Sequence, residues 1–231
     1  MAKPIGYTKG GSGLFEHIMS KERYTLLEQL AKHSLVQTFY LAGGTAAALY
    51  LGHRWSEDLD FFTEQEFDPF QLAGKLANFE GFILTSQEPG TLHCFLYGVK
   101  VSFLYYPYPL LETGLTYKNI QLASLKDIAL MKLVALVQRG TKKDFVDLFF
   151  LDKEQIKFED IFKAYPDKYP VKTFQPLVFL KALGYFDDAE LEPMPRLFRE
   201  VSWSEIKKYF LQRQKELTDY FICEDTNVEK Q

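Results

Sequence analysis

Two aspartates, Asp58 and Asp60, are the residues of this 231-residue chain whose type and spacing most directly suggest chemistry. Successive side chains of a strand point to opposite faces, so these two share one face while Leu59 and Phe61 point into a core. Neighbouring carboxylates repel each other unless a proton or a cation lies between them. Mg²⁺ or Mn²⁺ suits such a pair, because hard cations take oxygen ligands from carboxylates and substrate phosphates. The pair therefore predicts a metal site.

A double glycine precedes the aspartates. Gly43 and Gly44 follow a predicted strand over 35–42 and open a predicted short helix over 45–51. Glycines allow a tight turn and a close approach of a ligand to the backbone. The helix N-terminus adds unpaired N–H groups and the positive end of its dipole. The pattern predicts either a phosphate site or a strand-to-helix turn that binds no ligand.

A basic turn, residues 52–56, joins this helix to the acidic strand. Arg54 and Ser56 are placed either to reach a phosphate or to brace the carboxylates. Arginine binds phosphate oxygens through two parallel hydrogen bonds. Alternatively, Arg54 forms a structural ion pair with Asp58 or Asp60.

The elements around this stretch predict an α+β fold with a mixed sheet. Asp68 and Pro69 are typical of a helix start, and Gly90 and Gly98 of turns between strands. The predicted order is a helix (14–34), a strand, a helix (45–51), a strand, a helix (69–78) and a meander of three strands (82–86, 91–97 and 99–105).

The second half of the chain predicts helices. Ser124 and Asp127 resemble a capping box, and the apolar helix that follows runs to about Gln138. A charged helix comes next, over 141–151. Further helices with proline breaks between them are predicted over 155–165, 171–182 and 202–221.

Composition limits the class of protein. The net charge of −4 and pI of about 5.7 do not support a general nucleic-acid coat, although a local basic site remains compatible. Cys94 and Cys223 match no metal-ligand spacing. Because neither a signal peptide nor a membrane-spanning run is recognisable, we expect a reduced cytoplasmic protein that does not associate with membranes.

The stretch as a whole resembles the signature of the DNA polymerase β-like nucleotidyltransferase superfamily, and within it the AbiEii/AbiGii toxin family. The matching strings in the first half are Gly43-Gly-Thr-Ala, Gly52-His-Arg-x-Ser56 and Asp58-Leu-Asp-Phe-Phe62. A second cluster is similar to the family's later motifs, in Lys132-Leu-Val-Ala, Arg139-Gly140 and Lys143-Asp-Phe-Val-Asp-Leu148.

The resemblance implies transfer of a nucleoside monophosphate from a nucleoside triphosphate (NTP) to RNA, protein or another acceptor. It implies that Asp58 and Asp60 hold one or two Mg²⁺ or Mn²⁺ ions. It assigns phosphate binding to Gly43, Gly44, Thr45, Arg54, Ser56 and Lys132, and catalytic roles also to Lys143 and Asp144. Because family members are often toxins of toxin–antitoxin pairs, a cognate antitoxin is an implied partner.

The resemblance suggests the fold, and a break in the pattern suggests the domain boundary, because Pro107-Tyr-Pro109 interrupts the strands and the composition shifts soon after it. The resemblance implies a nucleotidyltransferase fold in which helices flank a small mixed β-sheet, followed by a helical domain. We expect a catalytic domain over 14–106, a linker over 107–123 and a helical domain over 124–223, with flexible ends over 1–13 and 224–231.

One position departs from the superfamily pattern. A third carboxylate is usual on a later strand, and its counterpart here is Ser102, whose hydroxyl is a poor ligand or base. Either Asp144 or Asp147 takes that role, or two acids suffice for slow turnover, or the protein is a non-catalytic nucleotide-binding or interaction module.

Two further features have structural alternatives. The charges of the second cluster, residues 132–147, are also compatible with a solvated face of two packed helices. The aromatic run over 103–108 could stack a base, although packing against neighbouring structure is the favoured interpretation.

Overall fold

The computed structural model describes residues 9–11, 13–33, 36–170 and 175–228, with the side chains of the last helix described up to residue 221. The chain divides into two compact units, Met1–Ile128 and Ala129–Gln231. Most of the N-terminal segment predicted to be flexible, residues 1–13, lies outside the described residues.

A mixed sheet organises the first unit. Seven strands of the described residues pair in the order β3-β4-β5-β2-β1-β7-β6. β2 runs parallel to β5 and β1 parallel to β7, and the other neighbours are antiparallel. The predicted mixed sheet is thus confirmed, with strands β1 (Tyr40–Leu41), β2 (Leu59–Thr63), β3 (Ile83–Glu88), β4 (Thr91–Leu96), β5 (Val99–Tyr105), β6 (Thr113–Tyr117) and β7 (Ile120–Ala123).

The helices of the first unit are α1 (Lys21–Ala31), α2 (Gly43–Leu51) and α3 (Pro69–Leu76), with a 3₁₀ turn at Glu16–Ile18. The single helix predicted over 14–34 is therefore a turn followed by a shorter helix. α3 begins as predicted, because the Asp68 carboxylate accepts hydrogen bonds from the backbone N–H groups of Phe70 and Gln71. In α2, every residue from 45 to 51 is buried, which explains its alanine-rich and leucine-rich sequence.

Strand β1 is much shorter than the predicted strand over 35–42. Val36 accepts a hydrogen bond from the N–H of Phe39 at 3.1 Å, which closes a turn where an extended backbone was expected. Leu35 lies outside the described residues. Only Tyr40 and Leu41 pair with both neighbouring strands.

The predicted linker over 107–123 is wrong in its second part, which forms the hairpin of β6 and β7. Lys118 and Asn119 have positive φ angles of 49° and 64°, the conformation that a tight two-residue hairpin turn requires. β7 then joins the sheet beside β1, and its Ile120 and Leu122 side chains are buried. Apolar burial at alternate positions explains why this segment is a strand.

The second unit is helical, as predicted for this part of the chain. Its first helix, α4, begins in the first unit at the predicted capping box, where Ser124 Oγ donates to Asp127 and accepts from the N–H of Asp127. The helices are α4 (Leu125–Gln138), α5 (Lys142–Glu154), α6 (Phe158–Lys168), α7 (Pro176–Leu183), α8 (Asp187–Glu190) and α9 (Trp203–Val228).

Two boundaries in this unit differ from the prediction. Pro166 does not end a helix but lies inside α6, three residues before its C-cap Tyr169. Residues 224–228, predicted as part of a flexible end, continue α9, and residues 229–231 lie outside the described part of the chain. No helix in the described ranges is both long and apolar enough to cross a membrane.

Strand β3 forms one edge of the sheet and contains an irregularity. Leu84 pairs with Cys94 and Ser86 pairs with His93, so Thr85 is an extra residue that faces no partner on β4. This is a β-bulge, which bends the edge strand and increases its local twist. The side chains of Ile83 and Leu84 on this strand are exposed.

Two glycines should respond oppositely to replacement by alanine. A Cβ on Gly114 would overlap the backbone of Leu122 in β7, whereas a Cβ on Gly74 in α3 would enter open space. We expect Gly114→Ala to lower the free energy of unfolding by roughly 1–3 kcal/mol. Gly74→Ala should raise it by about 0.5–1 kcal/mol, since alanine favours helices. Urea unfolding measures both, and a neutral Gly114→Ala would contradict the tight β6–β7 contact.

Candidate active site

The two aspartates lie where the sheet turns them away from the core. Asp60 is in β2 and Asp58 directly precedes that strand. Both side chains are half-buried, whereas the intervening Leu59 and the following Phe61 are 0% exposed. This alternation places the two carboxylates on the sheet face opposite the core.

The double glycine makes room for the side chains of two other site residues. Gly43 has a φ of +65°, and a Cβ there would come within 3.0 Å of the Asp60 carboxylate oxygen Oδ2. On Gly44 a Cβ would overlap Nη2 of Arg54. The guanidinium of Arg54 is therefore packed over Gly44, and this arginine is only 3% exposed. A carboxylate and a guanidinium thus flank the first turn of α2.

The hydroxyl groups of Thr45 and Ser56 brace this turn. The two oxygens are 2.7 Å apart, and Thr45 Oγ1 also donates to the carbonyl oxygen of Asp58. Both residues are nearly fully buried. Their hydroxyls therefore connect the start of α2 to the segment that carries the aspartates, and they position the site whether or not they also contact a phosphate.

The position of the missing third carboxylate is next to Asp60. In the parallel pair of β2 and β5, Ser102 is the Cα partner of Asp60. On the other side, Ser102 pairs with His93 of β4, and its hydroxyl lies 3.1 Å from His93 Nδ1. Sequence reasoning missed His93, although the turn at Gly98 between two regular strands could have indicated its register with Ser102.

The second cluster forms an ion network inside the second unit. Lys132 Nζ lies 2.9 Å from Asp144 and 2.6 Å from Asp147, and both carboxylates are 0% exposed. Asp144 also accepts hydrogen bonds from the Arg139 guanidinium and from Thr141 Oγ1. The interpretation of this cluster as a solvated charged face is therefore wrong for the buried members.

Neighbouring lysines of α5 differ sharply. Lys143 is exposed, and the side-chain partners of Asp144 are Lys132, Arg139 and Thr141. Lys142 is buried instead, where its Nζ donates to the carbonyl of Glu192 and lies 5.0 Å from the Trp203 ring. Arg139, at 61% exposed, keeps most of its side chain in solvent.

The aromatic run begins in the core. Phe103 is fully buried and stacks on Phe61 with ring centres 5.4 Å apart, so packing is the role of this residue. Further along, the Tyr106 ring contacts two other rings edge-on. Its centre lies 5.7 Å from that of Phe62 and 4.9 Å from that of Tyr108. Phe62 follows Asp60 by two residues in β2, so this aromatic group continues the sheet face of the aspartates.

The donor set is suited to a hard cation shared with a substrate. No group of three His, Cys, Asp or Glu side chains in the described residues is arranged to hold a metal ion by itself. Mg²⁺ typically binds one or two carboxylates and completes its octahedron with water and phosphate oxygens. Asp58 and Asp60, both half-buried, would supply two such carboxylates.

The ion network predicts how acid destabilises the protein. Burial alone would raise the pKa of Asp144, but the charge of Lys132 and the bonds from Arg139 and Thr141 hold that pKa well below its ordinary 3.8. A lowered pKa stabilises the fold above the ordinary pKa, and this contribution is lost as the pH falls below about 4. We expect Asp144→Asn to lower the free energy of unfolding by roughly 3–5 kcal/mol at pH 7, because Lys132 loses a buried partner.

Urea unfolding at pH 7 and pH 3 measures this effect. The difference in the free energy of unfolding between wild type and Asp144→Asn should be smaller at pH 3 than at pH 7. The exposed Asp167, on α6, provides a matched control, and Asp167→Asn should change stability by less than about 0.5 kcal/mol at both pH values. An Asp144→Asn penalty that grows on acidification would contradict the sign of the pKa shift.

Comparison with known proteins identifies relatives of this chain. The sequence model of the family described as nucleotidyl transferase AbiEii toxin, type IV toxin–antitoxin system, matches residues 25–91 and 101–221. An uncharacterized protein of Aquifex aeolicus is 38% identical over an alignment of 203 residues, and the match covers 86% of this chain and 97% of the relative.

Among solved structures, MenT4, a nucleotidyltransferase toxin of Mycobacterium tuberculosis, superposes with a TM-score of 0.53. The match covers 87% of this chain and 86% of MenT4 at 16% sequence identity, so it is a likeness of fold. The family match extends over both units and includes the double glycine, the aspartate pair and the buried ion network. The chain belongs to the nucleotidyl transferase AbiEii toxin family of type IV toxin–antitoxin systems, and its fold is that of a nucleotidyltransferase.

Proposed function

We propose that the protein transfers a nucleoside monophosphate from an NTP to RNA or protein, that Mg²⁺ or Mn²⁺ is required, and that it acts as the toxin of a pair with a cognate antitoxin. The observation that carries the proposal is the corner formed by Gly43 and Gly44. The Asp60 carboxylate lies against the first glycine and the Arg54 guanidinium against the second. A metal ligand and a phosphate-binding cation thus flank one helix start.

The triphosphate would bind at the N-terminus of α2. Ala42, the residue before the helix, supplies no side-chain cap, so the first N–H groups of α2 would donate to the phosphates instead. The helix dipole and the buried charge of Arg54 both favour an anion at this position. Gly43 and Gly44 would let the β- and γ-phosphates approach the backbone, and Thr45 and Ser56 would keep the turn rigid.

Asp58 and Asp60 are the residues that would hold the metal. When bound, a divalent ion would neutralise charge on the triphosphate and favour departure of pyrophosphate. The acceptor oxygen then forms a bond to the α-phosphorus, while the bond from that phosphorus to the bridging oxygen of pyrophosphate breaks. The protein's own contribution is to hold Asp60 on β2, which pairs on both sides, and Asp58 directly before that strand.

The cations of the second unit divide into two groups by exposure. Lys132 is 5% exposed and forms ion pairs with Asp144 and Asp147, so we assign it a supporting role in the helical unit. Asp144, whose pKa is held low by its cationic partners despite its burial, is a poor proton acceptor and serves the same network. Lys143 is exposed and Arg139 is largely exposed, and the catalytic role of Lys143 stays a prediction.

Removal of the carboxylate pair should abolish transfer. The purified protein is incubated with each α-³²P-labelled NTP, Mg²⁺ or Mn²⁺, and total cellular RNA or protein. Wild type should label one acceptor fraction, and NTP with Mg²⁺ should raise its melting temperature. The double variant Asp58→Ala/Asp60→Ala should lose both effects, because phosphate-bound metal no longer has protein ligands.

The adjacent Glu57 provides the control for this pair. Glu57 directly precedes Asp58 and its side chain is exposed, so Glu57→Ala should retain labelling and the thermal shift. Labelling that survives in the double aspartate variant would refute the assignment of Asp58 and Asp60.

Ser102 motivates one alternative, a nucleotide-binding module without catalysis. The two functions differ in the behaviour of Ser102→Asp, which restores a carboxylate beside Asp60. On our proposal the wild type labels an acceptor, and Ser102→Asp shows no gain. The alternative instead requires a wild type that binds NTP without labelling anything, together with transfer gained in Ser102→Asp. The labelling assay decides between them.

A further inference from the structure

We propose that His93, held by Ser102, is the proton acceptor of the transfer reaction, and that the acceptor group is therefore a hydroxyl. This inference rests on the proposed function and specifies its second substrate. It assigns to a histidine on β4 the task that the absent third carboxylate would otherwise perform.

The sheet register brings the three residues into one row. Ser102 is the Cα partner of both Asp60 on β2 and His93 on β4. Residues paired across neighbouring strands share a sheet face, so Asp60, Ser102 and His93 all lie on the face of the aspartate pair. Two strand spacings separate the backbones of Asp60 and His93 by roughly 10 Å, so a substrate group could lie between these two side chains.

Accessibility favours His93 over Ser102. The serine is 4% exposed, whereas the histidine is half-buried. A substrate group near Asp60 therefore meets the imidazole more readily than the serine hydroxyl. The serine instead orients the ring, because its Oγ lies 3.1 Å from His93 Nδ1.

The chemistry of imidazole suits the task. When the Nδ1–H group donates to Ser102 Oγ, the other ring nitrogen, Nε2, carries a lone pair that can accept a proton. The oxygen of the acceptor hydroxyl bonds to the α-phosphorus as pyrophosphate leaves. The proton of that hydroxyl passes to Nε2 and then to water. Histidine performs this role near neutral pH, which a serine hydroxyl cannot do.

A second structural feature acts at the same place. The β-bulge of β3 lies between Leu84 and Ser86, and Ser86 is the Cα partner of His93. Bulges commonly occur beside active sites, where they redirect a side chain or bend the strand. The bulge is thus adjacent to the histidine. Further along the same pair of strands, the pairing is regular at Gln87–Leu92 and Glu88–Thr91.

The assignment has a consequence for the acceptor. An ionised phosphate oxygen needs no base when it attacks, whereas a hydroxyl must lose a proton. A proton acceptor beside the metal-binding face therefore predicts a ribose hydroxyl of RNA or a hydroxyl side chain of a protein. Phosphatase treatment of the RNA or protein fraction converts phosphate ends to hydroxyls, and it should maintain or increase labelling.

The experiment uses the full chain in the α-³²P labelling assay. We expect His93→Ala and His93→Gln to lower kcat by on the order of 10²- to 10⁴-fold, with little change in KM for NTP. The thermal shift caused by NTP with Mg²⁺ should persist, since the phosphate site is intact. Added imidazole should restore part of the rate in His93→Ala but none in Asp58→Ala. His33→Ala, which removes an exposed histidine of the same unit, is the control and should retain full activity.

Several outcomes would overturn the inference while leaving the proposed function intact. They are full activity in His93→Ala, no rescue by imidazole, or labelling that phosphatase treatment abolishes. A His93→Ala variant that only needs more Mg²⁺ would make His93 a metal ligand and would also refute its role as proton acceptor. If wild type labels nothing, the proposed function fails and the inference fails with it.

Discussion

The absence of side chains at Gly43 and Gly44 is the constraint on which the site depends. Arg54 occupies the volume where a Cβ on Gly44 would lie, and the Asp60 carboxylate comes within 3.0 Å of the place where a Cβ on Gly43 would lie. Opposite charges are thereby held on the two sides of one helix start, and the short polar network of Thr45 and Ser56 keeps that start in place. A larger residue at Gly44 would displace the Arg54 guanidinium, and one at Gly43 would also strain a backbone whose φ is +65°.

The second unit holds its charges by a different principle. Lys132 is buried with Asp144 and Asp147, and such burial is tolerated only because each charge has a partner and additional hydrogen bonds. Removal of one partner leaves an uncompensated charge, so the motif residues of this unit are important for stability as well as for any contact with substrate. Family motifs alone do not separate these two reasons for a residue's presence.

Local chemistry made part of the structure predictable. The Asp68 cap, the capping box at Ser124 and the meander of β3 to β5 depend on neighbouring residues, and the structure confirms them. The hairpin over 113–123 was missed, because Pro107 and Pro109 suggested a linker and the burial of β7 depends on its distant neighbour β1. Similarly, the pairing of Asp60 with Ser102 depends on the register of two strands that are distant in sequence, which no short stretch of sequence determines.

The bulge of β3 has a consequence for solubility. An edge strand with exposed Ile83 and Leu84 offers unpaired backbone groups and an apolar surface to the edge strand of another molecule. The extra residue Thr85 interrupts the regular spacing of those groups, so a second straight strand cannot continue the ladder along the whole edge. The same irregularity that borders His93 thus also protects the sheet against edge-to-edge aggregation.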